Sequence, residues 1–376
     1  MIVLSLIACF LFWSAFQQNA EKYYKIGIWL LFLLTALRYP ALGGTDNFSY
    51  VFTFQKVPLL DNFSGFESEF RIGYIYINSI VKTVFNDYIF FQIVYTALCI
   101  FFLDKAISLL DLNGKEKCLF LFGYFCFKFI WYFWGTLRQN LADVIFWYLI
   151  IYYYSKRNTF GKVKKIIIIL TAVFVPQLFH SSATLNMVLV PFLIILREPK
   201  NIQTRICWVC LCSIILYIFS AGLFEILLSY AGLVDDRYDK LYSGEEAGDG
   251  NIVNYLFRLL FFVLFTLHYQ KENYKYKNLV LNAFTIVILV GSVNHSLMLR
   301  VYEYYAFSMY ISFAFILHYF AKDNRTFISV MYLLVMLILL NRFIFITDGG
   351  LMKSYYFFWQ DPPLLPTEKI YGKIPF

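Results

Sequence analysis

Long apolar runs broken by short polar stretches repeat along the whole chain. Runs of roughly 14 to 26 residues fall at about 1–17, 26–39, 87–103, 118–135, 141–154, 166–179, 183–196, 206–231, 252–269, 278–294, 301–320 and 326–346, a length range that marks about twelve candidate membrane spans. A helix of about 14 residues rises about 21 Å against a hydrocarbon layer about 30 Å thick. The shortest runs are therefore read as short or re-entrant segments. The pattern predicts an all-α polytopic membrane protein forming a single integral membrane domain over 1–376, with outer loops at 40–86 and 234–251 and an outer tail at 347–376.

Composition agrees, because a chain 60% hydrophobic and 15% charged has too few polar residues to cover a water-facing surface. The first run, "MIVLSLIACFLFWSAF", lacks a basic leading region and a small-residue cleavage site, so it is expected to be the first span rather than a removed leader. The seven cysteines sit in or beside apolar runs, where neither disulfides nor zinc are expected.

Charge sets the orientation. When alternate loops are assigned to the cytoplasm, 18 of the 32 Lys and Arg fall in inner loops, which total about 55 residues, and 11 in outer segments of about 110, the asymmetry that defines the inner side. Both termini then face outward. The net charge of +8 belongs to this inner collar and argues for membrane orientation, with no nucleic-acid partner implied.

The basic clusters at 156–165 and 197–205 both belong inside, so the chain between them must cross an even number of times and turn back near "PQLFHSSAT" at 176–184. That turn recesses His180 in a position where irregular backbone is tolerated only against protein or a water-filled cavity. "WGTLRQNLAD" at 134–143 repeats the pattern and recesses Arg138. In "LRYPALGGTDNFSY" at 37–50, Pro40 stops a helix, Gly43 and Gly44 permit a sharp turn, and Asp46 is expected to fold back toward Arg38. Other polar residues carry weaker readings. Arg258 lies inside a span, at a cost of about 2.5–3.5 kcal/mol at mid-membrane, so it is read as facing protein or a lipid-phosphate path. Lys128 and Asp143 are as expensive and are expected to pair. Asp235, Asp236 and Arg237 lie in an acidic outer loop that either contacts a polar ligand or is simply solvated. A Gly-rich nucleotide cradle is missing from the sequence, which argues against a nucleotide ligand. So is an Asp-x-Asp signature in the large outer loop. Metal-independent chemistry without a cofactor is the expectation.

Several short motifs, in order along most of the chain, resemble the EpsG-like family, which groups with Wzy-type polymerases of O-antigen and capsule. They are Arg38 with "GGTD" and Tyr50, "EFRIGY" with Glu69 and Gly73, "LRQNLA" with Arg138 and Gln139, "FHSSA" with His180, and a late "LR" at Arg300. The resemblance implies a GT-C-like membrane glycosyltransferase of the bacterial inner membrane. It would join polyprenyl-pyrophosphate-linked oligosaccharide units on the outer face, using a lipid-linked donor and acceptor among membrane lipids, and a chain-length regulator protein is a conceivable partner. Such chemistry needs cations for the leaving pyrophosphate, and arginine's planar fork suits phosphate oxygens. Arg138 and Arg300, assisted by Arg38, are the candidates; the competing reading is that each snorkels to headgroups. The acceptor hydroxyl needs a base. His180 is the first choice, since histidine titrates near neutrality, and Asp46 the second. Tyr50, Glu69, Gln139, Asp235, Asp236, Arg237 and Arg258 are candidates for substrate binding. The rival classes are a flippase for the same lipid-linked sugar and a glycan ligase. Against the flippase, the ionisable residues gather toward one face and no internal repeat is visible.

Overall fold

The computed structural model describes residues 2–63, 66–196, 201–219, 274–293, 296–315, 325–346 and 355–373, together with Leu256, Leu259, Phe262, Val263, Thr266 and Leu267. The described backbone is helical, apart from one isolated antiparallel bridge between Arg38 and Phe357. By internal packing the chain divides into two compact units, Met1–Ser181 with Phe313–Phe376, and Ser182–Ser312.

The first unit holds α1 (Ile2–Ser14), α2 (Ala20–Ala36), α3 (Thr45–Lys56), α4 (Ile72–Val84), α5 (Tyr88–Ser108), α6 (Gly114–Tyr124), α7 (Leu137–Lys156) and α8 (Lys162–Phe174). In its core α5 packs on α7 and α2, α2 on α6, α7 on α8, and α1 on α6. Local sequence explains where the helices start. The Asp87 carboxylate accepts from the backbone N–H groups of Ile89 and Phe90 at the head of α5. At α6, Asn113 accepts from Lys115 and Glu116 while Glu116 accepts from the Asn113 N–H at 2.8 Å, a reciprocal cap that satisfies donors the helix cannot. Two members of the basic collar are paired at these ends, Lys25 with Asp104 and Lys117 with Glu21, each at 2.8 Å.

α6 continues without interruption through π-helical turns at Phe125–Phe129 and Trp131–Gly135. The wider π turn shifts the register of later side chains and is common at functional sites. Here it carries Lys128 to Asp143 of α7, 2.6 Å away, with both side chains wholly buried. The Lys128 ammonium also lies 4.1 Å from the centre of the Tyr132 ring. The pair expected from two charges in apolar runs is present.

The second unit is built on α11 (Lys277–Ser292), which packs on α9 (Asn186–Ile195), α10 (Ile202–Ile218) and α12 (Ser296–Tyr305). Its polar joint is Asn282, whose amide donates to the carbonyls of Leu193 and Leu196 at the open end of α9, at 3.0 and 2.8 Å. Arg205 donates to the Leu281 carbonyl, Asn282 and Thr285. α13 (Phe307–Phe315), α14 (Arg325–Ile346) and α15 (Pro366–Tyr371) complete the described helices.

Most of the helices coincide with predicted spans, but their lengths differ from a row of twelve full crossings. Among the described residues one helix, α5, is long and apolar enough by itself to cross a membrane; five further apolar helical stretches run 10–17 residues. Breaks at the polar turns, such as Thr136 and the 3₁₀ segments Pro176–Leu178 and Ser181–Leu185, keep the pieces short. Segment 40–86, expected to be a loop, contains α3 and α4. Neither is long enough to register as a span, and both are held by aromatic packing: Phe54 against Tyr88 and Phe91, and Tyr74 against Phe91 and Tyr95.

Candidate functional site

The site is assembled at the turn after α2, the start of α4 and the start of α7, all within the first unit. Pro40 begins a 3₁₀ turn, Pro40–Gly43, and Gly44 leaves it with φ 77°, a left-handed conformation that glycine adopts without strain. Gly43 is held closer still. A Cβ there would overlap the Asn47 amide and the Trp134 carbonyl, so the two glycines let the turn press directly onto the end of the π-helical segment.

Arg38 is wholly buried behind this turn. It donates to the Pro40 carbonyl at 3.0 Å and to Asn47 Oδ1 and the Trp134 carbonyl at 3.2 Å each. Asn47 itself donates to the Trp134 carbonyl at 2.6 Å. The expected Arg38–Asp46 contact is replaced by Arg38–Asn47, because α3 begins at Thr45 and turns successive residues about 100° around its axis. Asp46 is left exposed in the first turn, where a carboxylate suits the positive end of the helix dipole. Both terminal nitrogens of Arg38 are thus engaged in holding the fold.

The tail closes over the same turn. Tyr39 N–H donates to the Tyr356 carbonyl at 2.8 Å, and Phe358 N–H to the Leu37 carbonyl at 3.0 Å. The Tyr39 hydroxyl donates to the buried Glu368 carboxylate at 2.8 Å, and Tyr355 donates to the Leu34 carbonyl at 3.0 Å. This places the C-terminal segment against the end of the second predicted span, next to the first predicted outer loop.

Arg138 occupies a different environment, at the second residue of α7. Its guanidinium lies 3.9 Å from the centre of the Phe70 ring, 5.6 Å from Tyr50 and 5.7 Å from Tyr74. The three rings contact one another, with centroids 5.5–6.1 Å apart. Burial raises the Tyr74 pKa well above the ordinary tyrosine value, with nearby Tyr88 and Tyr50 adding to it and Arg138 opposing it. The hydroxyl therefore stays neutral at any working pH. Arg138 Nε is buried and has no hydrogen-bond partner among the described residues. A cation in an aromatic cage is stabilised by about 2 kcal/mol when desolvated, but rings offer no counter-charge. This guanidinium is thus positioned and left with hydrogen-bonding capacity for an anion.

His180 is buried and follows the 3₁₀ turn Pro176–Leu178, which packs on α4 and α7, the helices that carry Tyr74 and Arg138. The contact with α4 is close: a Cβ on Gly73 would sit 2.8 Å from the Leu178 carbonyl oxygen. His180 N–H donates to the Pro176 carbonyl at 3.1 Å. Tyr50 is buried in the cage, and Glu69 is exposed beside Phe70. Gln139 faces the other way, donating to the Tyr132 hydroxyl at 3.2 Å in the interior cluster with Lys128 and Asp143. Arg300 lies on α12 in the second unit, and its side chain is outside what the structure describes. Asp235, Asp236, Arg237 and Arg258 also lie outside the described residues. Phe70 and Tyr74 were not singled out from the sequence, where they are two among 43 phenylalanines and 31 tyrosines.

A family model described as the EpsG family matches residues 2–358 of the chain. No curated protein and no solved structure matches it.

Proposed function

Because the chain belongs to the EpsG family, a family of membrane proteins, we propose that it is a glycosyltransferase that polymerises polyprenyl-pyrophosphate-linked oligosaccharide units into a polysaccharide such as O-antigen or capsule. In this reading the chain is one GT-C-like membrane domain that crosses the bacterial inner membrane about twelve times with some segments re-entrant, has both termini outside, and works on the outer face. The observation that carries it is Arg138, a guanidinium fixed by three aromatic rings and lacking an anionic partner among the described residues.

The reaction breaks the bond between the anomeric carbon of the donor glycan and its pyrophosphate oxygen, and forms a bond from that carbon to an acceptor sugar hydroxyl. The polyprenyl pyrophosphate leaves with the electron pair. Arg138 holds the diphosphate, and its attraction grows as negative charge develops on the leaving oxygen, which is where binding accelerates chemistry. His180 takes the acceptor proton. Arg38, with both terminal nitrogens engaged by backbone and Asn47, shapes the turn that positions α3 and so Tyr50 in the cage. Arg300 enters as a second diphosphate ligand on its sequence position alone, and Asp235, Asp236, Arg237 and Arg258 as sugar or phosphate contacts on the same ground.

Reconstitution with one defined polyprenyl-pyrophosphate oligosaccharide tests the proposal. A ladder of products supports polymerisation. Transfer of finished glycan to another acceptor without a ladder would make the protein a ligase, and movement of intact substrate across vesicles without transfer would make it a flippase.

A further inference from the structure

The helices that carry Tyr74 and Arg138 also line an apolar groove of about 340 Å³ within the first unit, at the lower end of the range of about 300–1,000 Å³ found for small-molecule sites. Its floor is α7, from which Leu141, Ile145, Tyr148 and Leu149 line it. Counted from Arg138, these are positions i+3, i+7, i+10 and i+11, one continuous face of a helix. At about 1.5 Å per residue the lining runs from about 4 Å to about 16 Å along the axis below the guanidinium. The walls continue the cage in the same way. Ile77 of α4 stands one turn from Tyr74, and Leu98 and Phe102 of α5 follow Tyr95, which packs on Tyr74. Thr171, Val175 and Phe179 close the far side, the last of them adjoining His180. The Thr171 hydroxyl is turned back to the Ile167 carbonyl at 2.7 Å, so it presents its methyl.

We infer that this groove receives the isoprenoid tail of the lipid-linked substrate whose diphosphate Arg138 holds. The inference rests on the proposed function and adds the tail's location to it. The argument is one of continuity: one face of α7 runs from Arg138 to the groove, one face of α4 from Tyr74 to Ile77, and one face of α5 from Tyr95, which packs on Tyr74, to Leu98 and Phe102. A molecule with an anionic head at Arg138 and a hydrocarbon chain attached to it meets matching chemistry at both ends. Half-exposed Leu98, Phe102, Tyr148 and Leu149 would lose solvent- or lipid-facing surface on occupancy, and burying even a few methylenes is worth about tenfold in binding.

The test compares a long polyprenyl substrate with a two-isoprene analogue in the full-length protein. KM for the analogue is expected to be roughly tenfold higher or more. Leu98→Trp and Thr171→Trp, which fill the groove away from Arg138 and His180, are expected to raise KM for the long substrate to that of the analogue. The unfolding temperature of both variants should match that of the native protein, which reports that they fold. Photo-crosslinking with a diazirine-bearing polyprenyl phosphate should label α7 and α8, and excess polyprenyl phosphate should clear the label. Equal KM for both substrates, equal loss on both in the Trp variants, or label cleared as readily by phosphatidylglycerol would overturn the assignment; the last would show that bulk acyl chains fill the groove. Ladders that form without dependence on tail length sink the groove and leave the polymerase reading standing. Absence of ladders from any substrate sinks the polymerase reading, and the cross-linking arm still decides the groove.

Discussion

Replacing Arg138 by lysine is the sharpest perturbation, because it keeps the charge and removes the fork. The side chain lies over Phe70 at 3.9 Å with Tyr50 and Tyr74 beside it, and an ammonium in the same cage retains most of the cation–π attraction. Thermal stability in detergent should therefore change by no more than about 0.5–1 kcal/mol. The diphosphate is affected differently. A guanidinium can donate two parallel charge-assisted bonds to phosphate oxygens, each worth about 1.5–3 kcal/mol, whereas an ammonium in a pocket shaped for a plane directs one of them. Losing one bond predicts a rate lower by roughly 10- to 150-fold, since about 1.4 kcal/mol is tenfold. If the bond strengthens as the leaving oxygen gains charge, the loss falls on kcat more than on KM. The measurement is single-step glycosyl transfer between defined lipid-linked oligosaccharides in detergent, with substrate titration to separate the two constants. A variant within about twofold of the native rate, a factor of well under 1 kcal/mol, would refute the phosphate role and leave Arg138 a packing residue.

Other changes probe other parts of the fold. His180→Ala is expected to abolish ladder formation while preserving the unfolding temperature, and transfer at native rate would remove its role as base. Lys128→Met leaves Asp143 buried without its cation and should cost about 3–5 kcal/mol, whereas the double change Lys128→Met with Asp143→Leu should recover most of that; denaturant titrations of the three proteins decide it. Tyr39→Phe deletes the hydrogen bond to the buried Glu368 carboxylate and should cost about 1.5–3 kcal/mol, visible as earlier release of the C-terminal segment in limited proteolysis.

Much of the helical order was legible because burying charge and backbone is expensive in an apolar setting. Lys128 and Asp143 had to find each other once both lay inside apolar runs. The breaks near Thr136 and Pro176 were readable because Gly, Pro and polar clusters interrupt the runs there. The partner of Arg38 was not readable. "TDNFSY" looks like loop by composition, and once it becomes helix the residue facing inward changes from Asp46 to Asn47. The cage escaped for another reason. With 22% aromatic residues, composition does not distinguish Phe70 and Tyr74 from lipid-facing or core neighbours; both stand in the motif "EFRIGY", but only their convergence on Arg138 in space gives them a role.

The clasp between Tyr39 and residues 355–368 has a consequence for biosynthesis. Its two halves lie 329 residues apart, so the arginine turn stays without its hydroxyl–carboxylate latch until Glu368 has been synthesised. The candidate site would then be completed only after the intervening helices have been made, so under the proposed reading the nascent chain would have little chance to engage a substrate before that point.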